Sequence, residues 1–256
     1  MKYAIIDFRT TPEEKYNLTN LGCEILICPP SQLLYDAVCG HPDMLLHIIN
    51  SKTILVHKDM DENFVEKLKE LNLNVVFAKN SLKDTYPEDI ILNSVSFPHL
   101  FVHNLKYTDN NLLSYMNNKI SINVKQGYTK CSTAIVNRNS VMTSDKTIAK
   151  ALWKEDIDIL LLPPGDILLP GLNYGFIGGC CGLLDENSMA FYGDLNYYAF
   201  GEKVMEFLRK HNVEPIFLSK GKLIDRGSLF IVENWELKYD SLLNNNYKNK
   251  KLLKLN

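Results

Sequence analysis

The sequence predicts an α/β domain built as a ring of five units, each running strand, turn, strand, helix, strand. Three observations predict it. The same order of apolar runs returns at a spacing of about 40 to 45 residues, the range of radial repeat arrays. Each copy carries a hairpin ahead of its helix, which an open doubly wound sheet does not require. The two ends of the chain each hold only part of a unit, and the parts complement one another. An open doubly wound α/β sheet is the competing architecture, because every unit ends in a helix followed by a strand.

The elements follow in order. Residues 3–8 read as a strand, 12–21 as a helix and 24–28 as a strand, which is the later part of a unit. The first full unit has a strand at 41–49, a turn at Asn50 and Ser51, and a second apolar run at 53–57. Phe64, Leu68 and Leu71, with Val65 beside them, have helical spacing over 59–71, and a β-rich run at 74–78 closes the unit. The second unit has strands at 87–95 and 100–103 around a turn at Phe97 and Pro98, a helix at 108–116 and a strand at 120–124. In the third, strands at 130–136 and 140–143 turn through Asn137, Arg138 and Asn139, Ser144 caps a helix at 146–153, and 157–162 is the last strand. The fourth has strands at 176–184 and 189–192 around Asp185, Glu186 and Asn187, a helix at 202–211 and a strand at 214–218. A last strand at 227–232 has no helix after it. Pairing it with 3–8 closes the fifth unit with both ends of the chain and leaves no frayed edge. The ring domain is expected over 1–235, with a polar, basic, Asn-rich tail over 236–256 that reads as a solvated segment.

Composition narrows the function. With 256 residues, 46% of them hydrophobic, the chain can bury a full core without disulfides or a structural metal. A net charge of -2 argues against a nucleic-acid partner held by a large positive field. No apolar run reaches the length of a membrane span, and the first strand is too short and too charged for a signal peptide. Six cysteines scattered through the chain read as reduced thiols, which points to the cytoplasm.

Five such units around a pseudo-fivefold axis resemble the pentein fold, an α/β five-bladed ββαβ propeller. It is shared by the guanidino-modifying enzymes and the ribosome anti-association factor of translation initiation. Residues 56–62 and the helix after them look like a unit of the anti-association factor. Residues 125–132 (Lys-Gln-Gly-Tyr-Thr-Lys-Cys-Ser) and 174–179 (Tyr-Gly-Phe-Ile-Gly-Gly) are similar to an uncharacterised bacterial, mostly clostridial, family assigned to the guanidino-modifying fold. The resemblance spans roughly residues 40–230. It has two departures. The guanidino-modifying enzymes place a nucleophilic cysteine late in the chain, whereas no cysteine follows Cys181 here. Their mid-chain histidine with a carboxylate two residues on has no counterpart after residue 103.

In such a ring the starts of the first strands converge on one mouth. That brings together His41, Asp43, Asp89, Cys131 and the glycines Gly178 and Gly179, with the loop carrying Asp225 and Arg226. Asp43 and Asp89 suit a guanidinium, which a carboxylate holds by charge-assisted, bidentate hydrogen bonds. Cys131 is the candidate nucleophile, with Lys130 beside it to lower its pKa, and His41 is the candidate acid. Asn93, Gly178, Gly179, Asp225 and Arg226 complete the expected substrate site. His41 and His47 are expected on one strand face with Asp43 between them, a conceivable metal site, although no metal and no other cofactor is expected. Two functions remain open. One is a hydrolase or transferase acting on a guanidine or amidine through Cys131. The other is a non-catalytic binding module resembling the anti-association factor. A small cationic ligand is the expected partner, and neither nucleic acid nor membrane is.

Overall fold

A computed structural model describes residues 1–233, so the tail expected over 236–256 lies outside the described residues. The chain opens with β1 (Lys2–Asp7), α1 (Pro12–Asn20) and β2 (Cys23–Cys28). A one-turn helix, α2 (Pro42–Leu45), leads into β3 (Leu46–Asn50), β4 (Thr53–Val56), α3 (Glu62–Glu70) and β5 (Asn74–Phe77). The next unit is β6 (Val95–Ser96), β7 (Leu100–His103), α4 (Asn110–Tyr115) and β8 (Ile120–Asn123). It is followed by β9 (Thr133–Asn137), β10 (Ser140–Thr143), α5 (Lys146–Trp153) and β11 (Asp158–Leu161). The fourth is β12 (Cys181–Asp185), β13 (Ser188–Phe191), α6 (Gly201–Lys210) and β14 (Glu214–Phe217), and β15 (Phe230–Glu233) ends the described chain.

These strands form five separate three-stranded sheets, and no continuous sheet joins them among the described residues. In each sheet the middle strand pairs antiparallel with one neighbour and parallel with the other, across the helix. The first and last described strands meet in one of them. β15 runs antiparallel to β1, with Tyr3 opposite Val232 and Ile5 opposite Phe230, while β2 lies parallel on the other side.

Burial explains the pattern. The middle strands β4, β7 and β10 are buried along their whole length and read as continuous runs rather than alternating ones. α3 turns Phe64, Val65 and Leu68 to the core, and α6 turns Val204, Phe207 and Leu208. Side chains close the helix starts: Asp61, Asp109 and Asp145 each accept from the first turn, and Thr11 and Glu14 form a capping box. Asp145 therefore holds the capping position expected for Ser144. Among the described residues, no helix is long and apolar enough to cross a membrane.

The first strand of each unit starts later than its apolar run. Residues 41–45 form a turn and α2, with Pro42 at the helix start, a position proline favours. Residues 87–94 are turns ahead of the two-residue β6, residues 130–132 are a turn ahead of β9, and 176–180 are turns ahead of β12. His41 and His47 thus share no strand face. The physical reason lies in the polar residues of these segments. Asn93 accepts from the backbone N–H groups of Lys130 and Cys131, and Asp225 from that of Phe176, so the turns are tied to one another rather than into a strand ladder.

Candidate active site

Buried polar side chains meet where each unit turns into its first strand. Asn93, Cys131, Gly179 and Ser228 lie two residues ahead of β6, β9, β12 and β15, and Asp43 lies three ahead of β3. All five are buried.

Asn93 is the hub. Its amide nitrogen donates to Cys131 Sγ at 3.0 Å and to the Asp43 carbonyl at 3.0 Å. Its oxygen accepts from the backbone N–H groups of Lys130 at 2.8 Å and Cys131 at 3.2 Å. The Cys131 thiol donates to Asp43 Oδ2 at 3.2 Å. Ser228 Oγ lies 2.7 Å from the same oxygen and 2.8 Å from the Gly178 carbonyl, so its one proton serves either. Lys130 Nζ donates to Ser228 Oγ at 2.8 Å and sits 5.4 Å over the Phe230 ring.

Asp225 lies behind Gly179. Its carboxylate accepts from the N–H groups of Phe176 at 2.8 Å and Gly227 at 2.9 Å. Only glycine fits at position 179, because a Cβ there would overlap that carboxylate. Gly227 has φ +68° and its backbone packs on His41, so it meets both the backbone and the space requirement. His41 Nδ1 is 3.8 Å from Asp225 and Nε2 is 4.0 Å from Asp7, and among the described residues neither nitrogen makes a hydrogen bond. Asp7 is paired with Arg9 through a two-pronged contact. Asp89 stands slightly apart. Its Oδ2 accepts from Tyr128 OH at 2.6 Å, and Tyr128 OH is 3.5 Å from Tyr35 OH.

Asp43, Asn93 and Cys131 are in direct contact; Gly178, Gly179, Asp225 and His41 surround them, and Asp89 joins through Tyr128. Arg226 turns away, pairing with Glu14 at 3.2 Å. His47 is directed elsewhere, 3.1 Å from Ser94 Oγ, and among the described residues no cluster of histidine, cysteine and carboxylate could hold a metal. Tyr35, Tyr128, Ser228 and Asp7 complete the site without having been singled out in the sequence. Ser228 had a signal, since it occupies the same place in its unit as Asn93 and Cys131 do in theirs.

Two electrostatic features define what this cluster can do. Burial, with Asp43 and Asp225 nearby, pushes the Cys131 thiol well above its ordinary pKa, against a weaker opposing effect of the Asn93 hydrogen bond. Lys130, expected to lower it, instead directs its ammonium to Ser228 and Gly178. Burial also raises the carboxyls of Asp89 and Asp225. The second feature is a pair of vacant acceptors. Among the described residues, Asp43 Oδ1 and Asp89 Oδ1 are buried without a hydrogen-bond donor, although the other oxygen of each carboxylate is engaged.

The fold, five three-stranded α/β units, is shared with solved guanidino-modifying enzymes. A saxitoxin-pathway amidinotransferase from Microseira wollei matches with a TM-score of 0.52 at 10% identity, over 84% of this chain and 87% of its own. DDAH from Pseudomonas aeruginosa, in a mutant form complexed with citrulline, matches at 0.50 and 12% identity, over 84% and 90%. The inosamine-phosphate amidinotransferase of Streptomyces griseus matches at 0.52 and 11% identity, over 80% and 72%. No curated protein matches the sequence. The chain belongs to the family of unknown function DUF6873, whose model matches residues 5–230.

Proposed function

We propose that the chain binds a guanidine or amidine group at the Asp43–Asn93–Cys131 cluster and transforms it as a cysteine-dependent hydrolase or transferase. The observation that carries this reading is Asp43 Oδ1, which has no donor among the described residues while the other oxygen of the same carboxylate holds the Cys131 thiol; Asp89 Oδ1, beside Tyr128, is a second such acceptor. A planar cation with several N–H donors satisfies acceptors of this kind and offsets the cost of leaving them buried and unpaired. The amidinotransferase and DDAH folds are consistent with such a ligand. We also read the five sheets as the blades of one closed ring, supported by β12 lying against both β9 and β15. The free cysteines suit a reducing compartment such as the cytoplasm.

The chemistry follows from the geometry. Cys131 passes its proton to Asp43, and the thiolate adds to the amidino carbon. The carbon–nitrogen bond to the departing amine breaks, the amine takes a proton from His41, and an S-amidino cysteine remains. Water then releases urea or a ureido product and restores the thiol; in a transferase an acceptor amine takes the place of water. Burial is the larger cause of the raised thiol; a bound cation opposes the second, the charges of Asp43 and Asp225, and so favours the thiolate relative to the free protein.

Alkylation of Cys131 by iodoacetamide, followed by mass spectrometry with and without agmatine, tests this. Slow labelling of the free protein and faster labelling with agmatine are expected. Calorimetry should show agmatine binding retained in Cys131→Ala and weakened in Asp89→Asn. Binding without any labelling would leave a ligand-binding module with a structural thiol. Absence of binding by any guanidinium compound overturns the reading.

A further inference from the structure

A row of aromatic rings runs from the surface to the buried carboxylates. Tyr86 is 51% exposed and its ring centroid is 5.8 Å from that of Tyr128. Tyr128 stacks on Phe176 at 6.3 Å with planes 28° apart, and Phe176 meets the edge of Tyr174, which is 42% exposed, at 6.0 Å. The inner rings are anchored to the cluster, Tyr128 by its hydroxyl on Asp89 and Phe176 by its N–H on Asp225. Tyr35, half-buried, reaches the same spot through Tyr128; burial raises its phenol, and Asp89, Cys131 and Asp225 add to that.

Among the described residues, the basic groups around the cluster are hydrogen-bonded, Arg9 and Arg226 to carboxylates and Lys130 to neutral oxygens. Arg9 is paired with Asp7 and with the carbonyls of Asp36 and Ala37, Lys130 with Ser228 and Gly178, and Arg226 with Glu14. Against them stand the buried carboxylates Asp43, Asp89 and Asp225, none of them in a lysine or arginine ion pair among the described residues. A ligand carrying its own carboxylate would enter a field of like charge, with those cations occupied elsewhere. A ligand with a flat apolar tail would instead stack along the ring row, and its cationic head would end at the vacant oxygens.

We propose that the site selects guanidines or amidines whose far end is an uncharged aryl or alkyl group over amino acids such as arginine, with Tyr86 and Tyr174 as the outer specificity-determining residues. The inference rests on the guanidine reading and adds the identity of the rest of the ligand. Calorimetric titration with guanidinium chloride, phenylguanidine and arginine tests it. Phenylguanidine should bind at least about tenfold more tightly than arginine, a difference of about 1.4 kcal/mol. Tyr86→Ala and Tyr174→Ala should narrow the preference for phenylguanidine over the bare guanidinium ion several-fold. Tyr86→Phe, which keeps the ring, should restore it. Both positions are exposed enough that the melting temperature should stay within a few degrees of the parent and so exclude misfolding as the cause. If arginine binds as well as phenylguanidine while guanidinium still binds, the specificity inference falls and the guanidine reading stands. If guanidinium itself does not bind, both fall.

Discussion

Asn93 has a role no other side chain at the centre can share, because an amide offers donors on one side and an acceptor on the other. The donors hold a thiol and a carbonyl, and the acceptor gathers two backbone N–H groups at the turn before β9. Asn93→Asp preserves the acceptor and replaces the donors with negative charge facing Cys131 and the Asp43 carbonyl. Urea denaturation should show a loss of about 1–3 kcal/mol, the range for stranding buried polar groups. Labelling of Cys131 should slow further, since a third carboxylate raises the thiol more. An unchanged unfolding midpoint would show that Asn93 does not organise the site. The same residue illustrates what is hard to read at this scale. His41, Asp43 and Cys131 were legible as candidates from their place in the repeat, whereas the direction of Lys130 and Arg226 was not. Their partners, Ser228 and Glu14, are distant in sequence, and side-chain direction in a turn does not follow strand alternation.

Asp109 does for an element what Asn93 does for the site. Fully buried, it caps α4 by accepting from Asn111 and Leu112 with one oxygen, and with the other it accepts from Lys79 and Asn80 after β5. α4 spans only six residues, too few to be stable on its own propensity. Asp109→Ala should therefore cost about 2–4 kcal/mol in urea denaturation, more than the roughly 1 kcal/mol of an ordinary cap such as Asp145→Ala. Equal losses in the two variants would show that the tie to β5 carries no stability. Helices and middle strands were legible to within three residues, because their burial is uniform over a helical face or a whole strand. The first strands were not. The apolar runs at 87–95 and 176–184 are buried, as a strand would be, but much of that burial belongs to turns packed around the central polar cluster. Hydropathy registers burial and does not distinguish a buried turn from a buried strand.

Across the whole molecule, three histidines are buried in their neutral form, and this sets the acid limit of stability. Burial pushes His47 down to about 3, and His57 and His103 down to about 4. His103 donates through Nε2 to the Gly127 carbonyl, which leaves Nδ1 to accept from Thr108. In the unfolded chain each would take up a proton near pH 6.5, so below that pH the unfolded state binds more protons than the native one. The stability they contribute is complete above pH 6.5 and is lost as the pH falls toward 4, at up to about 1.4 kcal/mol per pH unit for each. Asp89 and Asp225, with raised carboxyls, act in the opposite direction at the lower end of that range. At alkaline pH the buried thiols Cys28, Cys131 and Cys180 stay protonated in the fold while their unfolded counterparts ionise near 8.5, so stability falls again above that point. A stability plateau is thus expected between about pH 6.5 and 8.5. Urea unfolding at half-unit steps from pH 4.5 to 9.5 would map it, and His57→Gln isolates one contributor without touching the central cluster. That variant should lose less stability than the parent between pH 6.5 and 5, with a slope shallower by about 1 kcal/mol per pH unit. Parallel profiles for parent and variant would mean that His57 is protonated within the folded protein, and that burial at the end of β4 does not exclude its charge.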